Sequence, residues 1–477
     1  MTSGTRAWRL DGSGLRSDLE VSPSGFKHLL VPLFALAVGA RSRCTIRNVP
    51  DILETSALCS VARELGLDAH HDVEDRALAI VGQVTSGVVG AGASADGAPQ
   101  AAGTIHGSMY LVPVLAGIHG AASLLGHGGC AIGAGPQGTR PIAHIASIIE
   151  RFGASCELSD QSLRAVAPHG LRATTIDLGD YSELDSLSGT PTGPLYSGAT
   201  KAAILAAAVA EGTTVLHQPY PKPDVAGLVD VLDAIGMVLD RTQNTLVISG
   251  AGGPVPGFDA ELPSDLLEVV SYLSLAVHCR RPIRMPIIGV PTVRAGLAAE
   301  LATLDKMGLQ LDWSDDDVAG VPPERARAVT VHASSHRCYS DSQPLLAAAL
   351  IDADGTSELV ERVWPGRFSY ADELAKVGAV IEVSNAGASI VGQPELHPSA
   401  DPMLARDLRA AMALVIAAIG RGRPQVVCGV QHLERGYARL DRCLRAIGVE
   451  VVELPAGSEV SGASEGSAPL EVQACSR

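Results

Sequence analysis

The sequence is poor in aromatic residues and in positive charge, and both shortages restrict what the protein can be. Aromatic residues make up 3% of the 477 residues and apolar residues 46%, so we expect a core of Ala, Val, Leu and Ile. The formal net charge is -16 at pH 7. A chain without surplus Lys and Arg cannot neutralise many phosphates, which excludes a nucleic acid as partner. A small anionic substrate remains compatible with this charge, because a few cations can cluster inside an acidic protein.

Paired cysteines and long apolar runs are also missing. The nine cysteines include no CxxC pair, so the sequence predicts neither a regular disulfide framework nor a common zinc site, and fits a reducing cytoplasm. The longest apolar run, 29–40, is too short to span a bilayer, and the opening of the chain is unlike a signal peptide. We therefore expect a soluble cytoplasmic protein that binds no metal and no membrane.

What the sequence does contain is a sixfold repeat. Six apolar helical patterns each close on a glycine, which supplies the left-handed residue that ends a helix, at intervals of about 70 to 87 residues. These glycines are Gly66, Gly153, Gly236, Gly308, Gly378 and Gly448. The interval is too long for a solenoid repeat and suits a module rich in βαβ units.

Each repeat also opens alike, with a helix that is apolar on nearly every face and then a short β-rich run. The pattern predicts an α/β protein of six units in two lobes, joined within the Gly- and Pro-rich stretch 247–265. We predict domain I at 26–258, domain II at 1–25 with 259–455, and a flexible tail at 456–477. A second Gly- and Ser-rich stretch, 84–103, is also predicted to be mobile.

A glycine-rich segment, HGGCAIGAGPQGTRPIAH at 127–144, surrounds Cys130. Glycine and proline disfavour a regular helix or strand there, so a place inside a packed element does not explain this cysteine. Core packing, metal binding and a chemical role are the three alternatives at this point. Two glycine clusters, GAGAS at 90–94 and GCAIGAG at 129–135, suggest a dinucleotide-binding loop. Neither cluster gives the motif GxGxxG after a strand with an acidic residue about 20 positions further on, so this signal is weak.

Three motifs, GFKH at 25–28, GGCAIG at 128–133 and ERGYARLDRCLRAIG at 434–448, resemble those of the enolpyruvyl transferases. The cysteine loop is similar to that of the branch that acts on UDP-N-acetylglucosamine in cell-wall synthesis, and the resemblance covers 26–454. It implies a two-domain inside-out α/β barrel with three repeat units in each domain. It also implies phosphoenolpyruvate as a co-substrate, and no cofactor.

The reaction that this resemblance implies gives Cys130 a role. A substrate hydroxyl adds to C2 of phosphoenolpyruvate while C3 is protonated, and the resulting ketal loses phosphate and a proton. These steps need an acid at C3, a base beside the hydroxyl, and cations for the phosphate and the carboxylate. A thiol on a mobile loop can serve as the acid, so the resemblance makes Cys130 catalytic and a target of fosfomycin.

Four further residues match positions of the family, and a fifth, Asp265, corresponds to one of them in another unit. Lys27 matches the lysine that meets the reacting phosphate, although alone it would be interpreted as a surface residue one turn into a helix. Arg367 and Arg409 match arginines for the phosphate and carboxylate of phosphoenolpyruvate, groups that guanidinium geometry suits. Asp341 matches the aspartate beside the reacting hydroxyl, with a helix N-cap as the alternative. Asp265 holds the corresponding place in the fourth unit, where capping explains it at least as well as shaping the cleft.

Other positions depart from the family pattern. His28 occupies the position of a family asparagine, and His106 that of an arginine that binds phosphoenolpyruvate. Pro365-Gly366 replaces the Glu-Asn of the family. Gly135-Pro136 occupies the place of an Arg-Pro pair. A second pair, Arg140-Pro141, follows an insertion, and Arg140 is the candidate replacement for the missing arginine.

These departures predict an acceptor other than the cell-wall sugar nucleotide. They resemble the UMP enolpyruvyl transferases of nikkomycin- and polyoxin-type nucleoside antibiotic biosynthesis, which act on the 3′-hydroxyl of UMP. The predicted acceptor-binding residues are His28, Arg140, Pro141, His144, Ser197, Gly198 and Asp265. The predicted phosphoenolpyruvate-binding residues are Lys27, His106, Arg140, Arg367 and Arg409. We expect a monomer or a weak homo-oligomer.

Three alternatives stay open on the sequence alone. The first is a UDP-N-acetylglucosamine enolpyruvyl transferase of peptidoglycan synthesis. The second is an inactive nucleotide-binding paralogue, although drift would not be expected to spare Lys27, Cys130, Asp341, Arg367 and Arg409 together. The third is an unrelated dinucleotide-binding enzyme. Release of phosphate from phosphoenolpyruvate with a candidate nucleotide separates the active enzymes from the inactive paralogue.

Overall fold

A computed structural model describes residues 5–85, 105–126, 128–129, 132, 141–159, 162–384, 387–397, 400–420 and 423–455, together with the backbone of 88–89. Cys130, Gly135 and Arg140 lie outside the described residues, as does the predicted tail 456–477. The predictions made for them therefore stand as predictions.

The described residues form thirteen α-helices. They are α1 Lys27–Val38, α2 Leu53–Glu64, α3 Leu111–His119, α4 Ala143–Arg151, α5 Tyr196–Val209, α6 Pro223–Ala234, α7 Leu266–Cys279, α8 Val290–Gly296, α9 Ala298–Met307, α10 Gln343–Leu350, α11 Ala371–Ala375, α12 Leu408–Ala418 and α13 Leu440–Ala446. Short 3-10 helices cover His106–Tyr110, Leu178–Tyr181 and Val430–Arg435. No helix of the described residues is long and apolar enough to cross a membrane.

The strands are short, and twenty-six are described. They are β1 Ala7–Asp11, β2 Leu19–Glu20, β3 Cys44–Arg47, β4 Asp68–Asp72, β5 Ala77–Val81, β6 Val88–Val89, β7 Ala121–Leu125, β8 Ser155–Leu158, β9 Ser162–Val166, β10 Thr175–Asp177, β11 Glu183–Leu184, β12 Pro191–Thr192, β13 Glu211–His217, β14 Val238–Arg241, β15 Thr245–Ala251, β16 Asp259–Glu261, β17 Ile283–Pro286, β18 Gln310–Trp313, β19 Asp317–Val321, β20 Thr330–Ala333, β21 Thr356–Glu361, β22 Val380–Ser384, β23 Gly387–Val391, β24 Met403–Leu404, β25 Gln425–Cys428 and β26 Glu450–Leu454.

Among the described residues six four-stranded sheets repeat one topology, and β11-β12 forms a separate hairpin. Each sheet has one parallel pair at an edge and two antiparallel pairs beyond it. The strand orders are β16-β3-β5-β4, β6-β7-β9-β8, β10-β13-β15-β14, β2-β17-β19-β18, β20-β21-β23-β22 and β24-β25-β1-β26. The predicted sixfold α/β repeat is therefore confirmed.

The glycines that revealed the repeat also have the predicted conformation. All six have a positive φ, between 78° and 106°, where a side chain would be strained. Each follows an outer helix and precedes the strand that completes the antiparallel part of its sheet. A local sequence signal thus marks the same point of every unit.

The chain divides into two compact units, which we call the 25–262 unit (25–129 and 141–262) and the 263–455 unit (5–24 and 263–455). In the 25–262 unit three central helices, α1, α3 and α5, contact one another. In the 263–455 unit α7, α10 and α12 do the same. These helices are buried on nearly every face, as their continuous apolar sequences predict, since sheets and outer helices cover them.

Candidate active site

The 263–455 unit brings three predicted site residues together. The carboxylate of Asp341 accepts a hydrogen bond from Nη1 of Arg367 at 2.7 Å through Oδ1. Its other oxygen, Oδ2, accepts from Nε of Arg409 at 2.9 Å. One carboxylate therefore bridges two guanidinium groups that come from different repeats.

The position of Asp341 relative to its helix explains why its carboxylate is available for this bridge. An aspartate also precedes each of the other two central helices, and there Asp265 and Asp407 are the N-caps of α7 and α12. Their carboxylates accept hydrogen bonds from backbone N–H groups of the first turn, as N-caps usually do. Asp341 lies one residue earlier, because Ser342 is the N-cap of α10. The alternative of Asp341 as an N-cap is thus wrong, whereas Asp265 is one.

Arg409 is held in the first turn of α12 with 1% of its surface exposed. Its Nη1 donates to the hydroxyl of Tyr437 at 3.0 Å, and its guanidinium lies 5.6 Å from the centre of that ring. The Tyr437 hydroxyl also lies 2.7 Å from Oγ of Ser271. Burial acts to lower the pKa of Arg409, but Tyr437 and the Asp341 and Asp265 carboxylates outweigh it, so the pKa is raised. The Arg409 side chain is therefore held in one position and keeps its positive charge.

Arg367 is fixed in a similar way, in the turn before α11. Its Nη1 also donates to Oγ of Ser340 at 3.1 Å, and its Nη2 lies 3.9 Å from Oδ1 of Asp407. Its buried Nε has no hydrogen-bond partner among the described residues. Burial acts to lower the pKa of Arg367, and the carboxylates of Asp341 and Asp407 raise it overall. The guanidinium group is thus held by Ser340 and Asp341 and keeps its positive charge.

A buried glutamate that the sequence analysis missed lies close to this cluster. Glu268, in the first turn of α7, accepts hydrogen bonds from the backbone N–H of Ser24 at 3.1 Å and from the Ser24 hydroxyl. Burial, and then the like charge of Asp265, raise the pKa of Glu268 to about 8. This glutamate is therefore expected to carry a proton at neutral pH.

Lys27 lies in the 25–262 unit as the first residue of α1, not one turn into the helix as predicted. Its Nζ pairs with Oε1 of Glu54 at 2.9 Å, and the two side chains are 14% and 7% exposed. The interpretation of Lys27 as a surface residue is therefore wrong. A largely buried, paired lysine at a helix start is a cation with a defined position.

Two of the histidines that depart from the family pattern are half-buried in the same unit. The ring of His28 packs edge-on against Phe26, with ring centres 5.6 Å apart. His106 begins the 3-10 helix that leads into α3. His28 is thus the second residue of α1, and His106 lies in the 3-10 helix that precedes α3.

His144 and Gly198 form a close contact in the 25–262 unit. His144, in the first turn of α4, is 6% exposed, and neither ring nitrogen has a hydrogen-bond partner among the described residues. Burial lowers the pKa of His144 to about 4, so the ring is neutral at physiological pH. A β-carbon at Gly198 would overlap Nε2 of this ring. The half-buried Ser197 precedes Gly198 in α5, and Pro141 is exposed.

Four residues that hold the cluster were not predicted: Ser340, Glu361, Asp407 and Tyr437. Asp407 had a local signal, an aspartate directly before an apolar helix, which is an N-cap pattern. Tyr437 is part of the ERGYARL motif but carries no sign of its partner. Glu361 accepts from Ser340 Oγ at 2.7 Å, and no spacing in the sequence indicates that pair. Within the described ranges no group of three or more His, Cys, Asp or Glu residues is arranged for a metal ion.

The repeated sheets, the central helices and the arginine–aspartate cluster agree with the class of protein that the sequence motifs resemble, the 1-carboxyvinyl (enolpyruvyl) transferases. The family model described as EPSP synthase (3-phosphoshikimate 1-carboxyvinyltransferase) matches residues 11–444. The chain belongs to this family. It follows that the chain is an enolpyruvyl transferase with the family's two-domain inside-out α/β fold, as predicted, and not a dinucleotide-binding enzyme.

Relatives and solved structures agree with this assignment. The UDP-N-acetylglucosamine 1-carboxyvinyltransferase of Campylobacter hominis is 30% identical over 443 residues, which cover 92% of this chain and 97% of the relative. The enzyme of the same name from Anaeromyxobacter sp. strain K is 30% identical over 447 residues, with the same coverage of 92% and 97%. The crystal structure of the enolpyruvyl transferase NikO from Streptomyces tendae is 33% identical with a TM-score of 0.83, covering 95% of this chain and 100% of NikO. EPSP synthase from Acinetobacter baumannii, at 16% identity and a TM-score of 0.69, shares the fold.

Proposed function

We propose that the protein transfers the enolpyruvyl group of phosphoenolpyruvate to a hydroxyl of a uridine nucleotide, with the 3′-hydroxyl of UMP as the first candidate. The observation that carries the proposal is the bridge from Asp341 to Arg367 and Arg409. It places a carboxylate that can take up a proton between two cations that can hold an anionic donor. No cofactor and no metal enter the reaction.

The arginine pair suits the two anionic groups of phosphoenolpyruvate. Phosphate and carboxylate both accept paired hydrogen bonds from a guanidinium group. Ser340 holds Arg367 and Tyr437 orients Arg409, so both guanidinium groups are in place before a ligand binds. Cations fixed in this way need little rearrangement as charge develops, which is the main way such a site accelerates a reaction.

Asp341 is assigned as the base. The acceptor hydroxyl forms a C–O bond to C2 of phosphoenolpyruvate and gives its proton to the Asp341 carboxylate, while an acid protonates C3. The tetrahedral ketal then expels phosphate, and C3 loses a proton to restore the double bond. A carboxylate with 23% of its side chain exposed can be reached by a substrate, whereas the Asp407 carboxylate is buried as a helix cap.

Two further residues complete the catalytic set that we propose. Cys130 supplies the proton at C3, as the resemblance of its loop implies. Lys27 meets the departing phosphate, since it is a cation held at the start of a central helix by its pair with Glu54. His106, Arg140 and Arg367 are assigned to the donor with Arg409.

The acceptor side is assigned to His28, Arg140, Pro141, His144, Ser197, Gly198 and Asp265. Departures from the cell-wall pattern at positions 28, 106, 135 and 365 favour an acceptor with fewer charges than UDP-N-acetylglucosamine. The neutral ring of His144 supports an uncharged part of the ligand, such as a base or ribose, because a buried imidazole at a pKa of about 4 does not bind a phosphate as a cation. Asp265 is used as a helix cap, so we place it at the edge of the acceptor site.

The names of the curated relatives favour a second candidate, transfer to UDP-N-acetylglucosamine. The test is to incubate the purified protein with phosphoenolpyruvate and either UMP, UDP-N-acetylglucosamine or shikimate 3-phosphate. Phosphate release and the carboxyvinyl product are then measured, and the modified hydroxyl is located by NMR. We expect release with UMP and an ether at its 3′-oxygen. Release with the sugar nucleotide alone supports the second candidate, and no release with any acceptor supports an inactive paralogue.

A further inference from the structure

A buried glutamate on an outer helix contacts the segment that carries Asp341. Glu300 lies in the first turn of α9 and has no exposed surface. Its Oε1 accepts a hydrogen bond from the backbone N–H of Tyr339 at 2.6 Å and another from Oγ of Ser342 at 2.9 Å. The two donors stand two residues before and one residue after Asp341, so Glu300 joins both sides of this residue to α9.

The contact between Glu300 and Ser342 replaces the hydrogen bond to its own helix start that the position of each residue favours. A glutamate at the third position of a helix commonly reaches back to the N–H of its own N-cap residue. A serine at an N-cap commonly accepts a hydrogen bond from its own first turn. Ser342 makes no such cap bond, and its hydroxyl donates to Glu300 instead. The buried Oε2 of Glu300 has no hydrogen-bond partner within the described residues, so only the contacts to 339–342 satisfy this side chain.

The contacts to Glu300 complete a set in which every residue of 339–342 is fixed from outside the segment. The hydroxyl of Ser340 donates to Oε2 of Glu361 at 2.7 Å and accepts from Arg367. The Asp341 carboxylate is held by the arginines described above. Of these contacts, those to the arginines are expected to change when an anionic substrate binds to the guanidinium groups. The contacts to Glu300 do not involve any group that we assign to the substrate.

We infer that Glu300 is a positioning residue, which keeps the Asp341 backbone in place for proton transfer while the arginines exchange their partner for the substrate. The inference rests on the proposed role of Asp341 as the base. A reacting group that shifts by about 1 Å can lose about 100-fold in rate, so loss of this support is expected to lower kcat more than it changes substrate binding.

The test compares Glu300→Ala and Glu300→Gln with the control Asp352→Asn. Glutamine keeps an oxygen that can accept from Tyr339 and Ser342, and alanine does not. Asp352 is a buried carboxylate of the same unit that accepts a hydrogen bond from Arg280 at 2.9 Å. With folding verified by circular dichroism, we expect Glu300→Ala to lower kcat by about 10- to 100-fold with a nearly unchanged KM for phosphoenolpyruvate. Glu300→Gln and Asp352→Asn are expected to keep a kcat close to that of the wild type.

Hydrogen exchange of the Tyr339 amide gives a second readout that needs no turnover. We expect faster exchange in Glu300→Ala, with wild-type exchange in Glu300→Gln and in Asp352→Asn. A wild-type kcat in Glu300→Ala, or a kcat lowered equally in Asp352→Asn, overturns the inference. If the wild type releases no phosphate with any acceptor, the proposed function fails, and unchanged exchange in Glu300→Ala then overturns the positioning role separately. Should Glu300→Ala not fold, Ser342→Ala removes one of the two bonds, and unchanged kcat and exchange there also overturn it.

Discussion

Asp341 and Arg409 are 68 residues apart in the chain, and Oδ2 of the first accepts a hydrogen bond from Nε of the second at 2.9 Å. Asp341 precedes one central helix, and Arg409 lies in the first turn of the next central helix of the same unit. Because the repeats place the starts of these helices side by side, the fold itself creates the pair. The same contact joins the carboxylate that we propose as the base to the cation that we assign to the donor.

Asp341→Asn is expected to lower kcat by about 10²- to 10⁴-fold, the usual contribution of general acid–base catalysis. The amide keeps the shape of the side chain but cannot take up the hydroxyl proton, so acceptor binding should persist. The lost charge-assisted bonds to the two arginines should also lower the free energy of unfolding by about 1–3 kcal/mol. Phosphate release measures kcat, calorimetric titration measures acceptor binding, and urea denaturation measures the free energy of unfolding. Loss of acceptor binding together with activity would make Asp341 structural and place the base elsewhere.

Cys130→Ser and Cys130→Ala should lower turnover by about 10²- to 10⁴-fold without a change in the melting curve. The reason is that Cys130 is set among glycines in the sequence, which do not build a packed core. A thiol activated by nearby cations should also be alkylated by fosfomycin, and mass spectrometry of the acceptor-bound enzyme detects the adduct. Normal turnover in both variants, with no adduct, would return Cys130 to a packing role.

Gly198→Ala is expected to destabilise the protein, although the same change inside a helix usually stabilises by about 0.5–1 kcal/mol. The new methyl group would overlap Nε2 of His144, and such overpacking costs about 1–3 kcal/mol. The double variant His144→Ala with Gly198→Ala provides the control, because it removes the obstacle and should recover part of that loss relative to His144→Ala alone. Denaturant unfolding of the four proteins in this cycle measures the coupling. Additive effects would show that the ring and the glycine do not constrain each other.

The stability of the protein should fall as the pH rises, through Glu268. Its pKa is about 8 in the folded state and near 4.5 when exposed, so the folded state holds more protons than the unfolded state between these values. The stability from this group is present below about pH 4.5 and is lost as the pH rises through about 8. Glu268→Gln resembles the protonated form and should show a smaller fall over this window in urea denaturation from pH 5 to 9. Parallel curves for both proteins would mean that Glu268 is already ionised at neutral pH.

Much of the fold could be predicted because its signals are local. The six glycines at helix ends and the continuous apolar helices can be recognised within a few residues, and they fixed the number and type of the units. Asp341, Arg367 and Arg409 could be named from resemblance, although their mutual bonds could not. Asp341 binds the two arginines and does not cap its helix because it lies one residue before the N-cap. Sequence patterns do not define the first residue of a helix to within one position.

The contacts that remained hidden join residues far apart in the chain. Ser24 and Glu268 are separated by 244 residues, and Glu300 and Ser342 by 42. A serine or a glutamate near a helix start is equally well interpreted as a residue that caps its own helix. The sequence therefore favours a neighbouring backbone group as its partner, and not the distant side chain that it contacts. The pair Lys27 and Glu54 was missed for a related reason, since a lone lysine is usually a surface residue.

The central claim is that the acceptor is UMP. A comparison of catalytic efficiency with two acceptors tests this claim most directly. With saturating phosphoenolpyruvate, kcat/KM is measured for UMP and for UDP-N-acetylglucosamine by phosphate release on the same enzyme preparation. Lost cations cost most for a diphosphate, at about 1.5–3 kcal/mol for each charge-assisted bond, so we predict that UMP is favoured by at least about tenfold. An equal or higher kcat/KM for UDP-N-acetylglucosamine would contradict the account and make the protein an enzyme of the cell-wall type.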